Sequence, residues 1–268
     1  MPAFISFFSD FGLRDEYVGV CHGVIASLAP DVHVIDANHE IGPGQIRNGA
    51  LSMLRSIQYL PKGVALTVVD PGVGTDRAAI AVETPWGFFV GPDNGVLSPA
   101  VAMVGGASQA VQLDNSEFHL PRTSATFQGR DIFSPAAALL ASGQASLTDL
   151  GTALDPSSLI PLLLPLAEIK AERVAGVVWW LDGFGNCQTN ISPDDLQALG
   201  ITPGDQVVVR FGINERTVKW VPTFGAGNPD ELVLYTDSAG LLALAVVGGN
   251  AADSLRLEDD QSVQIWPS

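Results

Sequence analysis

Three short turns in the first half of the chain combine acidic or amide side chains with glycine directly after apolar runs. They are Ser9–Asp10–Phe11–Gly12, Asp70–Pro71–Gly72–Val73–Gly74 and Gly91–Pro92–Asp93–Asn94–Gly95. Carboxylates and amides so placed can hold hydroxyls, orient a water or take up a proton, and glycine leaves backbone N–H groups approachable. One such turn alone is ordinary turn chemistry, because Asp, Asn and Gly are what turns prefer. Three at strand ends point to a site, since open α/β sheets bind ligands beyond the carboxyl ends of their strands. In the second half, Asp182, Phe184 and Asn186 fall within Leu181–Asp182–Gly183–Phe184–Gly185–Asn186, followed by Thr189–Asn190. This set either meets the polar and apolar ends of a small molecule or is a glycine-rich turn with Phe184 in the core. Ser238–Ala239–Gly240 and Gly248–Gly249–Asn250–Ala251–Ala252 are two more turns; their backbone groups suit a purine edge, and turn chemistry accounts for them equally.

Several chemistries are excluded. No GxGxxG follows a strand and no GxxxxGK[ST] occurs, so neither a dinucleotide nor a P-loop site is supported. His22, His33, His39 and His119 lack HExxH-type spacing, and no metal site is expected. His39 reads as a loop anchor rather than a base, and His22, on a predicted helix, reads equally as a functional group or as a satisfied, half-buried histidine. Cys21 and Cys187 are too few for a disulfide framework or a four-ligand zinc site. The net charge of −16, with only 13 Lys and Arg, argues against a nucleic-acid partner and suits solubility or steering of a cationic ligand. The opening segment has no basic flank, and Ser9 and Asp10 interrupt its apolar run, so it is not expected to be a signal peptide. No apolar run approaches the roughly 20 residues of a membrane helix. A reduced, cytoplasmic setting without a membrane partner is the expectation.

These residues need elements to position them. Up to about residue 150, short apolar runs alternate with helical segments: strand 3–8, helix 17–28, strand 32–36, helix 46–59 and strand 64–69. That alternation predicts a mainly parallel sheet covered by helices. Residues 78–83 and 87–90 flank Pro85 and Trp86 as a hairpin, and 133–142 reads as a helix with Pro135 near its start. Pro156, Pro161 and Pro165 mark a linker, giving an α/β domain over 1–154, a Pro-rich linker over 155–170 and a second domain over 171–268. Short β runs at 173–181, 206–211, 216–220, 232–236, 241–246 and 262–266 predict a small antiparallel β-barrel.

Taken together, the motifs resemble the S-adenosylmethionine hydroxide adenosyltransferases, hydrolases related to fluorinating and chlorinating enzymes that use the same substrate. The matching pieces are SDFG at Ser9, the D-x-x-H-E-I stretch at 36–41, VVDPGVGTDR at 68–77 and GPDNG at Gly91. They continue with TFxGRDIFSPAAA from Thr126, LDGFGNCQTNI from Leu181 and GNAA at Gly249. The resemblance implies an N-terminal Rossmann-like α/β domain followed by a C-terminal β-barrel, in a homotrimer with sites between subunits. It also implies splitting of S-adenosylmethionine by water into adenosine and methionine without a cofactor. Asp10 would then hold the ribose hydroxyls, with Phe127 also at the substrate. Asp182, Phe184, Asn186 and Ser238 would grip the methionine end or the adenine from the other subunit. Asn250 and Ala251 would meet the adenine edge through backbone groups.

The water-activating set the resemblance implies is an Asp, an Arg and a His. Asp70 and Arg77 match the first two, and Gln128 stands where the family pattern T-F-H-G-R-D has its histidine. Glutamine can donate and accept hydrogen bonds but cannot take up a proton near neutral pH, so a rate loss of ~10²–10⁴-fold is expected from residue type alone. The halogenating relatives carry a long insertion for which 83–88 leaves no room, and they lack an acid at the position of Asp70. The alternative to turnover is a protein that binds S-adenosylmethionine or adenosine without cleaving it, which Gln128 favours. A purely structural trimer would bind no nucleoside.

Overall fold

The first apolar run forms strand β1 (Phe4–Ser9), in which Phe7 and Phe8 are both fully buried. Successive strand residues point to opposite faces, so an uninterrupted apolar run means that both faces of the sheet are covered. Phe7 joins a core with Val18, Cys21 and Ile25 of α1 (Tyr17–Leu28) and Ala136, Ala137 and Leu140 of α4 (Ser134–Ser142). Phe8 joins a separate core with Ala50 and Met53 of α2 (Ile46–Ser56) and Ala100 and Val101 of α3 (Ser98–Met103). The structure, a computed structural model, describes residues 4–121 and 124–268, so Ala3 of the expected strand 3–8 lies outside the described residues.

The remaining strands of this sheet are β2 (His33–Asn38), β3 (Val64–Val68), β4 (Ala79–Glu83), β5 (Phe88–Pro92), β6 (Gln109–Gln112) and β7 (Thr152–Leu154). Their order is β2-β1-β3-β5-β4-β6-β7. The pairs β1–β2, β1–β3 and β3–β5 are parallel, whereas β4 returns antiparallel to β5 as the expected hairpin. The α/β architecture with mostly parallel strands is therefore as the sequence predicts, with β6, β7 and α3 in addition.

The chain divides into two compact units, Met1–Leu162 and Leu163–Ser268. Residues 155–162 are tied to the first: Ile160 N donates to Asp93 Oδ1 at 2.9 Å, and Leu162 N donates to Ser98 Oγ at 2.7 Å. The end of the Pro-rich stretch is itself a strand, β8 (Glu168–Lys170), paired with β9 (Arg173–Leu181).

The second unit is a closed barrel. It uses β9, β10 (Cys187–Thr189), β11 (Gln206–Phe211), β12 (Asn214–Trp220), β13 (Leu232–Thr236), β14 (Leu242–Val246) and β15 (Ser262–Pro267). The order β10-β14-β13-β12-β11-β15-β9 closes through a β9–β10 pairing. Val207, Val209 and Phe211 alternate inward and pack with Trp220, Leu234 and Ile265. The pairings are antiparallel except β12–β13, which run parallel. Two short helices, α5 (Pro193–Gln197) and α6 (Ala251–Leu255), complete the unit.

Cys21 and Cys187 are both fully buried, and burial pushes their thiols up to about 11 and about 12. The thiolate is the reactive species. A thiol reagent at pH 7.5 is therefore expected to label neither cysteine in the native protein within an hour and both after denaturation. Rapid native labelling contradicts this packing. Among the described residues, no helix is long and apolar enough to cross a membrane.

Candidate active site

Asp10 and Asp70 leave the carboxyl ends of two adjacent parallel strands. Ser9 pairs with Val68 in register, and Asp10 N donates to Val68 O at 3.3 Å. Because β4 runs antiparallel to β5, with Ala79 opposite Pro92, the approach to β4 brings Arg77 to the same sheet edge. The intervening turn is closed by Thr75, whose N and Oγ1 donate to Gly72 O at 3.1 and 2.7 Å.

There Arg77 folds back on Asp70. Its Nε donates to Asp70 Oδ1 at 3.1 Å, and one terminal nitrogen donates both to Asp70 Oδ2 and, at 2.6 Å, to Gln128 Oε1. The two charged side chains are only 8% and 5% exposed, and the ring of Phe133 lies 5.5 Å from the guanidinium carbon. The other terminal nitrogen of Arg77 is buried and has no acceptor among the described residues. A buried donor without a partner costs about 1–3 kcal/mol, which makes this nitrogen a candidate donor to a bound oxygen.

Gln128 directly precedes a π-helical turn, Gly129–Phe133, that runs into α4. Such turns are frequent at functional sites. A Cβ at Gly129 would stand 2.9 Å from the Phe11 ring, so only glycine lets this turn approach the SDFG turn. Phe127 packs edge-on against Phe11 and Tyr17, with centroids 5.8 and 5.1 Å away, and Arg130 covers it at 5.1 Å while pairing with Asp131. Asp10, Asp70, Arg77, Phe127 and Gln128 are thus gathered within the N-terminal unit.

Burial pushes the Asp70 carboxyl above its ordinary value; Arg77 draws it back and the nearby Asp10 charge raises it further. Asp10 is also raised by burial, against the pull of the hydrogen bond that Gly44 N donates to its Oδ2 at 2.8 Å. The third turn is structural: Asp93 holds Ile160 N, while Asn94 donates to Val69 O and accepts from Val96 N. His119, unremarkable in sequence, lines a cleft of about 670 Å³ together with Arg77 and Gln128. Its Nε2 donates to Leu113 O at 3.2 Å. Nothing in the spacing of the histidines signals this placement.

In the C-terminal unit the Asp182 carboxylate organises its own turn, accepting from Phe184 N, Asn186 N and Asn186 Nδ2 at 2.8–2.9 Å. Phe184 is 82% exposed, so it is not the core residue that one sequence expectation made it. Gly185 has φ +81° and abuts Asn250, where any Cβ would clash. Asn250 caps α6 by accepting from Asp253 N at 2.9 Å, and Ala251 is fully buried. Ser238 is exposed on a turn held by Asp237, which accepts from Ala239 N and Leu241 N. Asp237 also accepts from Gln188 on β10, the strand that follows the Asp182 turn. Among the described residues, no group of three or more His, Cys, Asp or Glu side chains could hold a metal ion.

Comparison with known proteins identifies the family. Residues 5–151 match the SAM hydroxide adenosyltransferase N-terminal domain, and residues 176–264 match its C-terminal domain. A protein of Salinispora tropica named (R)-S-adenosyl-L-methionine hydrolase is 45% identical over 94% of this chain and 93% of its own length. One of the same name from Salinispora arenicola is 42% identical over 97% of both chains. The crystal structure of an uncharacterized conserved protein from Thermotoga maritima superposes with a TM-score of 0.91 at 37% identity, covering 98% of this chain and 99% of that one. The chain belongs to the SAM hydroxide adenosyltransferase family.

Proposed function

We propose that this protein hydrolyses S-adenosyl-L-methionine to adenosine and L-methionine. The observation that carries the proposal is the buried Arg77 guanidinium, forked onto Asp70, capped by Gln128 and left with one donor for an incoming oxygen. A water oxygen attacks the ribose C5′. The C5′–S bond breaks with its electron pair going to sulfur, which leaves as a neutral thioether and needs no acid. Arg77 stabilises the developing hydroxide, since a guanidinium stays protonated. Asp70 takes the water's proton; its oxygens keep further lone pairs beside the two bonds from Arg77. Asp10 holds the ribose hydroxyls beside Phe127, and no cofactor is required. Asp182, Phe184, Asn186, Ser238, Asn250 and Ala251 complete the substrate site from a neighbouring subunit of a homotrimer, which gives the exposed Phe184 a role. The setting is cytoplasmic. Incubation with S-adenosylmethionine followed by chromatography is expected to show adenosine and methionine accumulating in equal amounts. Tight binding without products supports the binding-only alternative that Gln128 raised.

Gln128 fits the hydrolase. Its Oε1 accepts from Arg77, and a neutral imidazole there would spend its one lone pair in the same way. Position 128 then needs an acceptor for the guanidinium, not a proton carrier. Gln128→His is accordingly expected to turn over within about tenfold of the parent. Gln128→Leu is expected to lose about 10–100-fold, the cost of a buried N–H left unpaired. A hundredfold gain in Gln128→His would move the proton acceptor from Asp70 to residue 128.

A further inference from the structure

Ser9, His39, Asp36 and His22 form a continuous hydrogen-bonded chain that the hydrolytic chemistry does not use. Ser9 Oγ lies 2.7 Å from His39 Nδ1, His39 Nε2 lies 2.9 Å from Asp36 Oδ1, and His22 Nε2 lies 2.7 Å from the same oxygen. Although the residue types are those of a nucleophilic triad, Ser9 is fully buried and cannot meet a substrate. Burial pushes the Asp36 carboxyl upward, but the hydrogen bonds from His39 and His22 outweigh it and hold the group below its ordinary value. An ionised carboxylate only accepts, so both Nε2 atoms donate to it. The Nδ1 of a neutral His39 ring then accepts the Ser9 hydroxyl proton, which turns the oxygen of Ser9 toward Phe11 N at 3.4 Å.

The same two segments meet again at Asp10 and just after it. Gly12 N donates to His39 O at 2.8 Å, Leu13 N to Glu40 Oε1 at 3.1 Å, and Gly44 N to Asp10 Oδ2 at 2.8 Å. His39 itself is wedged edge-on against Phe7, with ring centroids 4.7 Å apart. Asp10 therefore sits in a turn stitched to the 39–44 loop before, beside and after its own position. Ser9, whose hydroxyl is fixed by the buried imidazole, is its immediate neighbour.

We propose that Ser9, His39 and Asp36 are positioning residues for Asp10, fixing its carboxylate for the paired hydroxyls of a ribose. This rests on the assignment of Asp10 to the ribose. The chain sets specificity for a vicinal diol and has no part in handling the reacting water.

The test compares binding of adenosine and 2′,3′-dideoxyadenosine by calorimetry to the full-length parent and to Asp10→Asn, Ser9→Ala and Asp36→Asn. The parent is expected to prefer adenosine by about 10–100-fold, as charge-assisted bonds to two hydroxyls allow, and Asp10→Asn to lose most of that preference. Ser9→Ala and Asp36→Asn are expected to weaken adenosine by about 3–10-fold, the scale of one hydrogen bond, while leaving dideoxyadenosine within twofold. A merely structural role would weaken both nucleosides alike, and that result overturns the proposal. So does undiminished discrimination in both Ser9→Ala and Asp36→Asn when Asp10→Asn has lost it. A parent that binds both nucleosides equally removes Asp10 from the ribose and the positioning chain with it. A parent that binds neither overturns the functional proposal itself.

Discussion

Arg77→Ala is expected to lower the rate of S-adenosylmethionine hydrolysis by at least about 10²–10³-fold, the loss typical of removing one preorganised charge stabiliser. The guanidinium is the only cation hydrogen-bonded to Asp70 among the described residues, and the Phe133 ring lies beneath it. Truncation also leaves a carboxylate with a 5%-exposed side chain without its counter-charge. Breaking a buried pair from one side costs about 3–5 kcal/mol, so the melting temperature is expected to fall as well. Arg77→Lys separates the two effects. An ammonium keeps the charge but not the fork, and it cannot bond Asp70 and Gln128 in one plane. That variant is expected to recover much of the stability while remaining at least tenfold slow, as a point charge without the fork cannot fully replace it. Hydrolysis at the parental rate by folded Arg77→Ala would show that Arg77 is no more than a structural ion pair.

Much of this site was legible because parallel α/β sheets put their chemistry at the carboxyl ends of strands. Once 3–8 and 64–69 read as strands, Asp10 and Asp70 had to leave the same edge, and the register Ser9–Val68 makes them neighbours. Strand β4 starts from that edge and runs antiparallel to β5, which keeps Arg77, just before it, within reach of an acid seven residues earlier. Other features were not legible. Gly91–Pro92–Asp93–Asn94–Gly95 looks like the other two turns, yet its side chains hold Ile160 and Val69, partners set by tertiary packing alone. Strands β6 and β7 have four and three residues, too short for any alternation to register. The hydrogen bond between Gln128 and Arg77 spans 51 residues and has no local signature. His39 was readable only as a loop anchor; that its ring links Ser9 to Asp36 depends on β1 and β2 lying side by side.

In the proposed mechanism Gln128 leaves proton transfer to Asp70, and Asp70→Asn puts that to the test. The amide keeps the size of the side chain and can still accept from Arg77 through one oxygen, but it cannot take a proton. Loss of a general base is typically worth ~10²–10⁴-fold, and kcat is expected to fall by that order. The pH profile supplies an independent readout. Burial raises the folded-state pKa of Asp70, and the proposed reaction needs the carboxylate. Activity in the parent should therefore be full above that raised value and decline as pH falls through it, on the alkaline side of the ordinary aspartate range near 4. The sign for stability follows from the same shift. An acid whose pKa is raised on folding penalises the folded state above that pKa, and the penalty disappears as pH falls below it. Acid inactivation through Asp70 should thus precede unfolding. In Asp70→Asn the acid limb of kcat should vanish, while any limb that remains in kcat/KM belongs to Asp10, whose carboxyl is raised for the same reason. A variant within tenfold of the parent, with its acid limb unchanged, would place the proton acceptor elsewhere. His119 would be the first residue to replace, since it shares the cleft beside Arg77 and Gln128.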